Sequence, residues 1–229
     1  MWAPSDDVYL AKQAAPHVRP NRPLHQGDIF TGVPLSIARG ERYADGSYFK
    51  ERENATVMII GAPCAIRAGN RTLPVQSVVE VIPQGQAVNA EHEFTHPYQG
   101  SYWHLFPLPQ LLPGADHVAN FRKIGTSPTA ELLTSRTVCL NRAGWTALQC
   151  RYIYHSIRYD VTYDQMFDAS VSTWNEVELW EKWNAAGLPE LDFEEWMREP
   201  VAYGTYVGTI RRDAVGFAPD QLEAEFPDP

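Results

Sequence analysis

The sequence predicts an α+β protein: a small antiparallel β-barrel over residues 25–140, then a C-terminal helical extension over residues 141–229. Three observations predict this class. Short runs of alternating apolar and polar residues, separated by turn residues, recur from His25 to Leu108. Apolar residues at helical spacing, preceded by residues able to cap a helix, begin near Asn141. Acidic residues gather in the helical part. Ahead of the barrel, residues 1–24 carry Pro4, Pro16, Pro20 and Pro23 without periodicity and read as an extended arm.

Residues 28–35 (DIFTGVPL) alternate and end at a proline, which predicts the first strand. Asp45-Gly46 between aromatic flanks is a hairpin signal. Residues 56–61 (TVMIIG) form an apolar run suited to a strand buried on both faces. Gly69-Asn70 marks a turn. Residues 74–83 (PVQSVVEVIP) alternate, with Val75, Val78 or Val79, and Val81 as inward candidates. Residues 101–108 (SYWHLFPL) read as another strand. Asn141 then caps a helix bearing Trp145, Leu148, Tyr152 and Ile153. Thr162 with Gln165, and Thr173 with Glu176, fit capping boxes, and Gly187 and Pro189 are stop signals. Asp192 is placed to cap a short helix ended by Pro200, and residues 201–210 read as a returning strand. The last acidic stretch is expected to be a loop.

The chain has 229 residues and a net charge of −9, unevenly distributed. Residues 121–158 hold six basic residues against one acid, and residues 160–229 hold sixteen acids against four bases. An acidic whole argues against general nucleic-acid affinity but leaves room for a local basic groove. Three cysteines (Cys64, Cys139, Cys150) with no CxxC pair argue against a disulfide scaffold and for a reducing compartment. Residues 1–12 lack an apolar run, so no secretory leader is expected, and no apolar stretch is long enough for a membrane span. The expected location is cytoplasmic, or within an assembled virion.

Four groups carry candidate chemistry. His92, His96, His104 and His117 lie near Glu91, Glu93 and Asp116, but the spacing misses HExxH and the Pro/Gly surroundings favour a polar loop. Neither a metal nor any other cofactor is expected. Cys64 follows an apolar strand, where a thiol serves as nucleophile or as a small buried side chain. Arg151, His155 and Arg158 fall about one turn apart beside Tyr152, Tyr154 and Tyr159. Arginine with aromatics suits a single-stranded nucleic-acid surface, a protein interface, or pairing with the acidic tail. Trp174, Trp180, Trp183 and Trp196 sit at helical spacing, which suits a core, with any surplus facing a partner chain. The sequence has no GxGxxG, P-loop, GxSxG or kinase signature.

Gln26-Gly27-Asp28-Ile29-Phe30, followed by Val57-Met58-Ile59-Ile60-Gly61, resembles the opening of the PemK/MazF-like family of SH3-like barrels. The resemblance covers residues 25–66 and implies an SH3-like barrel that binds or cleaves RNA, with Asp28 and Thr56 joined by Arg151, His155 and Arg158. That family's toxins carry Arg-Pro before the second strand, where this chain has Asn54-Ala55-Thr56. Residues 118–158 also look like uncharacterised proteins of bacterial and phage genomes. With no catalytic constellation visible, the leading expectation is a non-enzymatic interaction or structural protein of a phage particle or mobile-element complex. It would self-assemble or bind protein partners through the tryptophans; the alternative is the RNA-binding or RNA-cleaving reading.

Overall fold

The computed structural model describes residues 24–38, 49–68, 71–87, 102–112, 115–158, 161–203 and 206–227. The proline-rich arm up to Pro23, the Asp45-Gly46 hairpin, the Gly69-Asn70 turn, His92, His96 and Tyr159 lie outside them, as does the side chain of Cys64. Two units divide the chain, Met1–Tyr163 and Asp164–Pro229. The fold is mixed α+β, and its main sheet is six-stranded and antiparallel.

The first unit opens with β1 (Ile29–Ala38) and β2 (Phe49–Ile59), which pair antiparallel. Gly32 has φ +73°, and Pro34 falls where the β1–β2 register shifts. An irregular pairing tolerates both a left-handed residue and a residue without an N–H, so β1 runs past its proline. Among the described side chains of β2, Ala55 and Val57 to Ile59 are buried, and Val57 to Ile59 lie where β5 pairs with β2 as well. One helical turn α1 (Pro63–Ile66) and a minimal hairpin, β3 (Arg67–Ala68) with β4 (Arg71–Thr72), lead to β5 (Val75–Pro83). Val78, Val79 and Val81 are buried as expected, but Val75 is exposed because it opens the strand, opposite Pro128 at the sheet's end.

A turn α2 (Gln84–Ala87) follows, then β6 (Leu105–Leu112), which starts four residues after the expected strand, with residues 102–104 forming a turn ahead of it. The fourteen-residue β7 (Ala115–Pro128) has no counterpart among the expected elements. It pairs with β6 on one side, β5 on the other, and with β1 through Ser36↔Thr126 and Ile37↔Gly125. Against β5 its register jumps: Glu80 faces Asn120 and Val79 faces Ile124. Residues 121–123 therefore bulge out of the ladder. The unit is completed by α3 (Thr129–Thr134), β8 (Arg136–Val138), which gives strand order β6–β7–β5–β2–β1–β8, and α4 (Arg142–Ile157). Asn141 caps α4 as its sequence foretells, its Oδ1 accepting from the Gly144 amide at 2.9 Å. The helix belongs with the sheet: Gln149 donates to the buried Gln26, whose own amide donates to the Ile60 carbonyl at 2.7 Å. Gly27 has φ +89°, and a Cβ there would sit 2.7 Å from Leu140 Cδ1, so this turn requires glycine.

From α5 (Tyr163–Ala169) onward the chain builds the second unit, with α6 (Val171–Ala185) and α7 (Glu190–Trp196). The start of α6 precedes the expected Thr173 cap, and Thr173 lies inside the helix. Its end follows the expected signal: Gly187 has φ +79°, its amide bonds Asn184, and the Leu188 amide bonds Trp183, a Schellman closure. Asp192 likewise lies inside α7, which starts after Pro189. The expected returning strand is a hairpin, β9 (Pro200–Tyr203) with β10 (Tyr206–Ile210). The expected terminal loop contains α8 (Arg211–Ala214) and α9 (Pro219–Ala224), whose Leu222 and Ala214 are fully buried. Acidic exposed faces hide that short apolar pattern. Among the described residues no helix is long and apolar enough to cross a membrane.

Gly125 is where β7 meets β1. A Cβ there would press on the Ser36 carbonyl oxygen and lie 2.8 Å from Leu35 Cδ1. Gly125→Val should therefore destabilise the first unit by about 3 kcal/mol or more, whereas Gly85→Ala, which meets nothing within 4 Å, should be near neutral. Urea unfolding of both variants checks this; equal stabilities would refute the β1–β7 pairing.

Candidate nucleic-acid interface

Three short pieces of the first unit converge: the turn at residues 102–104, the β7 bulge at 121–123, and the end of α4 at 155–158. The turn is held to α4 by Arg151. Its guanidinium is buried, with Nε donating to the Leu105 carbonyl at 3.0 Å and Nη2 to the Tyr102 carbonyl at 2.6 Å. Tyr102 also accepts the Leu105 amide at 2.8 Å, closing the turn that presents Trp103 and His104. Arg151 was expected on an exposed stripe with His155 and Arg158. It is instead an interior clamp, because its face of α4 meets β6, and three or four residues along a helix do not keep every side chain in solvent.

The Trp103 ring is half-buried and cation-rich. The Arg158 guanidinium carbon lies 3.1 Å from the ring centroid, and that of Arg122 lies 5.6 Å away. The His155 ring is 4.9 Å from it at 32°, and the His104 ring meets it edge-on at 5.7 Å. Phe121, fully buried, supports His155 from below at 5.4 Å and also packs edge-on against Tyr152. Both arginines are exposed, and neither has a carboxylate within ion-pair reach among the described residues. Arg158 adopts φ 58° at the C-cap of α4, with its amide bonded to the Tyr154 carbonyl at 3.0 Å. A left-handed non-glycine here holds the side chain back over the turn.

Electrostatics follow from this crowding. Burial first, then the charges of Arg158, Arg122 and Arg151, push His155 below its ordinary value of 6.5. Its Nδ1 is buried without a hydrogen-bond partner among the described residues. The imidazole is thus kept neutral beside two guanidinium groups that have no carboxylate partner among the described residues, an arrangement that attracts an anion.

The other expected RNA-contacting residues are not part of the cluster. Asp28 is 1% exposed; it accepts from the His25 amide at 2.9 Å and pairs with the Arg136 guanidinium at 3.4 Å. Its carboxylate is consumed in the interior, so it offers nothing to a ligand. Thr56 is half-buried on β2, and no hydrogen bond or ion pair ties it to the cluster among the described residues. His117 is buried, its Nδ1 3.1 Å from the Ala115 carbonyl. No group of three His, Cys, Asp or Glu among the described residues is placed to hold a metal ion. Cys139 and Cys150 are buried thiols.

The four tryptophans expected at an interface are buried at 1–6%. Trp183 packs on Phe193, Trp196 and Phe226 at 5.2–5.5 Å, and its Nε1 donates to the Pro189 carbonyl at 2.9 Å. Trp180 joins the same apolar cluster, and Trp174 donates to Glu178 at 2.7 Å. These rings build their own unit's core instead of facing a partner, since a small unit with few aliphatics needs large side chains to fill it. Sequence reasoning missed Trp103 and Arg122 as site residues. The one available signal was a Trp-His pair inside the expected strand of residues 101–108 and an Arg-Lys pair in a stretch with no expected element, and neither has a spacing rule linking it to Arg158. No family model, curated protein or solved structure matches the chain.

Because the folded pKa of His155 is depressed, the unfolded chain takes up a proton first as pH falls. Its stabilising contribution is complete above about pH 6.5 and is lost as pH drops through the folded value. NMR titration should place His155 below 6.5, and Arg122→Gln should move it upward by removing one repelling charge. A His155 that titrates at its ordinary value would mean that neither this burial nor these cations surround it.

Proposed function

We propose that the chain is a non-enzymatic binding protein whose first unit holds single-stranded nucleic acid, RNA above all, on the Trp103–Arg122–His155–Arg158 surface. The observation that carries this reading is the pair of exposed guanidinium groups, 3.1 and 5.6 Å from one aromatic ring, without carboxylate partners among the described residues. Guanidinium groups meet phosphates, and aromatic faces meet bases, which is the combination single strands select. Charge supports the placement. The first unit carries fifteen Lys and Arg against thirteen acids, net +2, and the second carries four against fifteen, net −11. Phosphate is drawn to the first unit and repelled by the second. The burial of Asp28 supports binding over cleavage, since the residue that the PemK/MazF resemblance brings to RNA is locked in an ion pair.

The same reading takes the first unit as a small SH3-like barrel. In support, β7 returns to pair with β1, so that β1, β2, β5 and β7 follow one another around a ring of pairings. A second reading, a structural or accessory protein that associates with protein partners, draws on the strongly acidic second unit, whose −11 charge suits a basic protein surface.

Fluorescence anisotropy of the full chain with a labelled single-stranded RNA tests the first reading. Binding should weaken with salt, with a log–log slope of about −1.4 for two neutralised phosphates. Arg122→Ala with Arg158→Ala should cost about tenfold or more in affinity and flatten that slope. Wild-type protein with no salt-sensitive binding would end the reading. For the second, sedimentation equilibrium after nuclease treatment should show a mass above the monomer; a uniform monomer would speak against it.

A further inference from the structure

In the free protein, the ring that would receive a base is already covered. The Arg158 guanidinium lies 3.1 Å from the Trp103 centroid, which is direct contact with the ring face, whereas Arg122 at 5.6 Å stands beside it. A base and a guanidinium cannot share one face of one ring. Resting on the proposed nucleic-acid reading, we infer that Arg158 is an exchangeable cover: one base of the strand takes its place on Trp103, and the displaced guanidinium pairs with the adjoining phosphate. The ligand unit is thus one nucleotide, base and phosphate together, and not a phosphate alone.

Four features of the cluster support the exchange. Arg158 is exposed, and among the described residues its only further aromatic neighbour is Tyr154, 5.9 Å away. Its backbone is anchored at the end of α4 by the bond to the Tyr154 carbonyl, so the side chain can swing while its origin stays fixed. The platform beneath does not move with it: Trp103 stands on the turn clamped by the buried Arg151, and its neighbour His155 rests on the buried Phe121. Arg122 and Arg158 are like charges gathered at one ring, so bringing a phosphate between them relieves a repulsion present in the free state. A guanidinium stacked on tryptophan keeps the ring out of water until a base replaces it with a comparable planar contact. This role goes to Arg158 and not Arg122 because only Arg158 touches the face.

The experiment compares two probes by anisotropy on the full chain: a short thymidine oligonucleotide, and an abasic oligomer of equal length and phosphate count. The intact strand should bind about tenfold more tightly. Trp103→Leu should abolish that preference and Trp103→Phe should retain part of it, with circular dichroism confirming that both variants fold. Arg158→Lys keeps the charge but cannot cover the ring, so the preference should persist or grow. Arg158→Ala also uncovers the ring but loses the phosphate partner, so overall affinity should fall while the preference again persists or grows. Equal binding of the two probes by wild type, or a preference that survives Trp103→Leu, would overturn the exchange while leaving nucleic-acid binding intact. Loss of the preference in Arg158→Lys would also overturn it, since the guanidinium would then be part of the platform. Binding of neither probe would remove the underlying reading together with this one.

Discussion

The first unit depends on one strand satisfying three neighbours at once. Buried backbone N–H and C=O groups must be paired, and β7 supplies partners to β6, β5 and β1 along its fourteen residues. Two local devices make that possible. Gly125 lets β1 approach where any side chain would strike the Ser36 carbonyl. The jump in register between Asn120 and Ile124 frees three residues from the β5 ladder. Those three face different tasks: Phe121 goes inward under His155, Arg122 goes out beside Trp103, and Lys123 reaches Glu80 at 2.7 Å. An unbroken ladder would alternate side chains strictly between faces. The bulge keeps Phe121 inward and Arg122 outward while releasing both from the β5 ladder, and that release sets them at the cluster.

Buried charge tells the same story of position over net energy. Glu80 is 1% exposed at the bulge, held between Lys123 and Arg52. Asp28 and Arg136 pair inside the unit, with Arg136 also 6.0 Å over the Phe30 ring. Such pairs recover their desolvation cost only through good geometry, yet removing one partner strands a charge in the interior. They therefore act as register locks. Glu80 fixes which residues of β7 sit opposite β5, and Asp28 ties the start of β1 to the start of β8. Arg151 extends the logic to neutral acceptors, using two carbonyl oxygens to hold a turn against a helix.

How legible this was in the sequence depended on how local the cause is. The Asn141 cap and the Gly187 stop are decided within a few residues, and both stand where the pattern put them. The strands β1 and β5 carry alternation visible in one pass. β7 was invisible because its sequence sets Val118 beside Ala119 and Arg122 beside Lys123, which breaks the apolar–polar alternation twice even though the folded strand alternates in burial. Thr173 and Asp192 look like caps, but tertiary packing extends both helices past them. The site was half legible. His155 and Arg158 share a helix, so their proximity follows from spacing, while Trp103 and Arg122 arrive from two other elements by long-range pairing that no spacing encodes.

The charge division sharpens what this surface can do. A uniformly basic protein gathers any polyanion, but here the −11 of the second unit outweighs the +2 of the first. Long-range attraction is therefore weak or unfavourable at low salt, and affinity must come from contact range, where screening matters less. Contact-range recognition favours groups that combine stacking with a bidentate donor, and arginine on tryptophan does both. The chain's basic set is fifteen arginines to four lysines, and both exposed cations at Trp103 are arginine. Lysine would supply the same charge without the planar face. On the proposed reading, repulsion of phosphate at a distance combined with a stacked contact at short range would favour a presented single strand over bulk polyanion, with the ring of Trp103 weighing more than net charge.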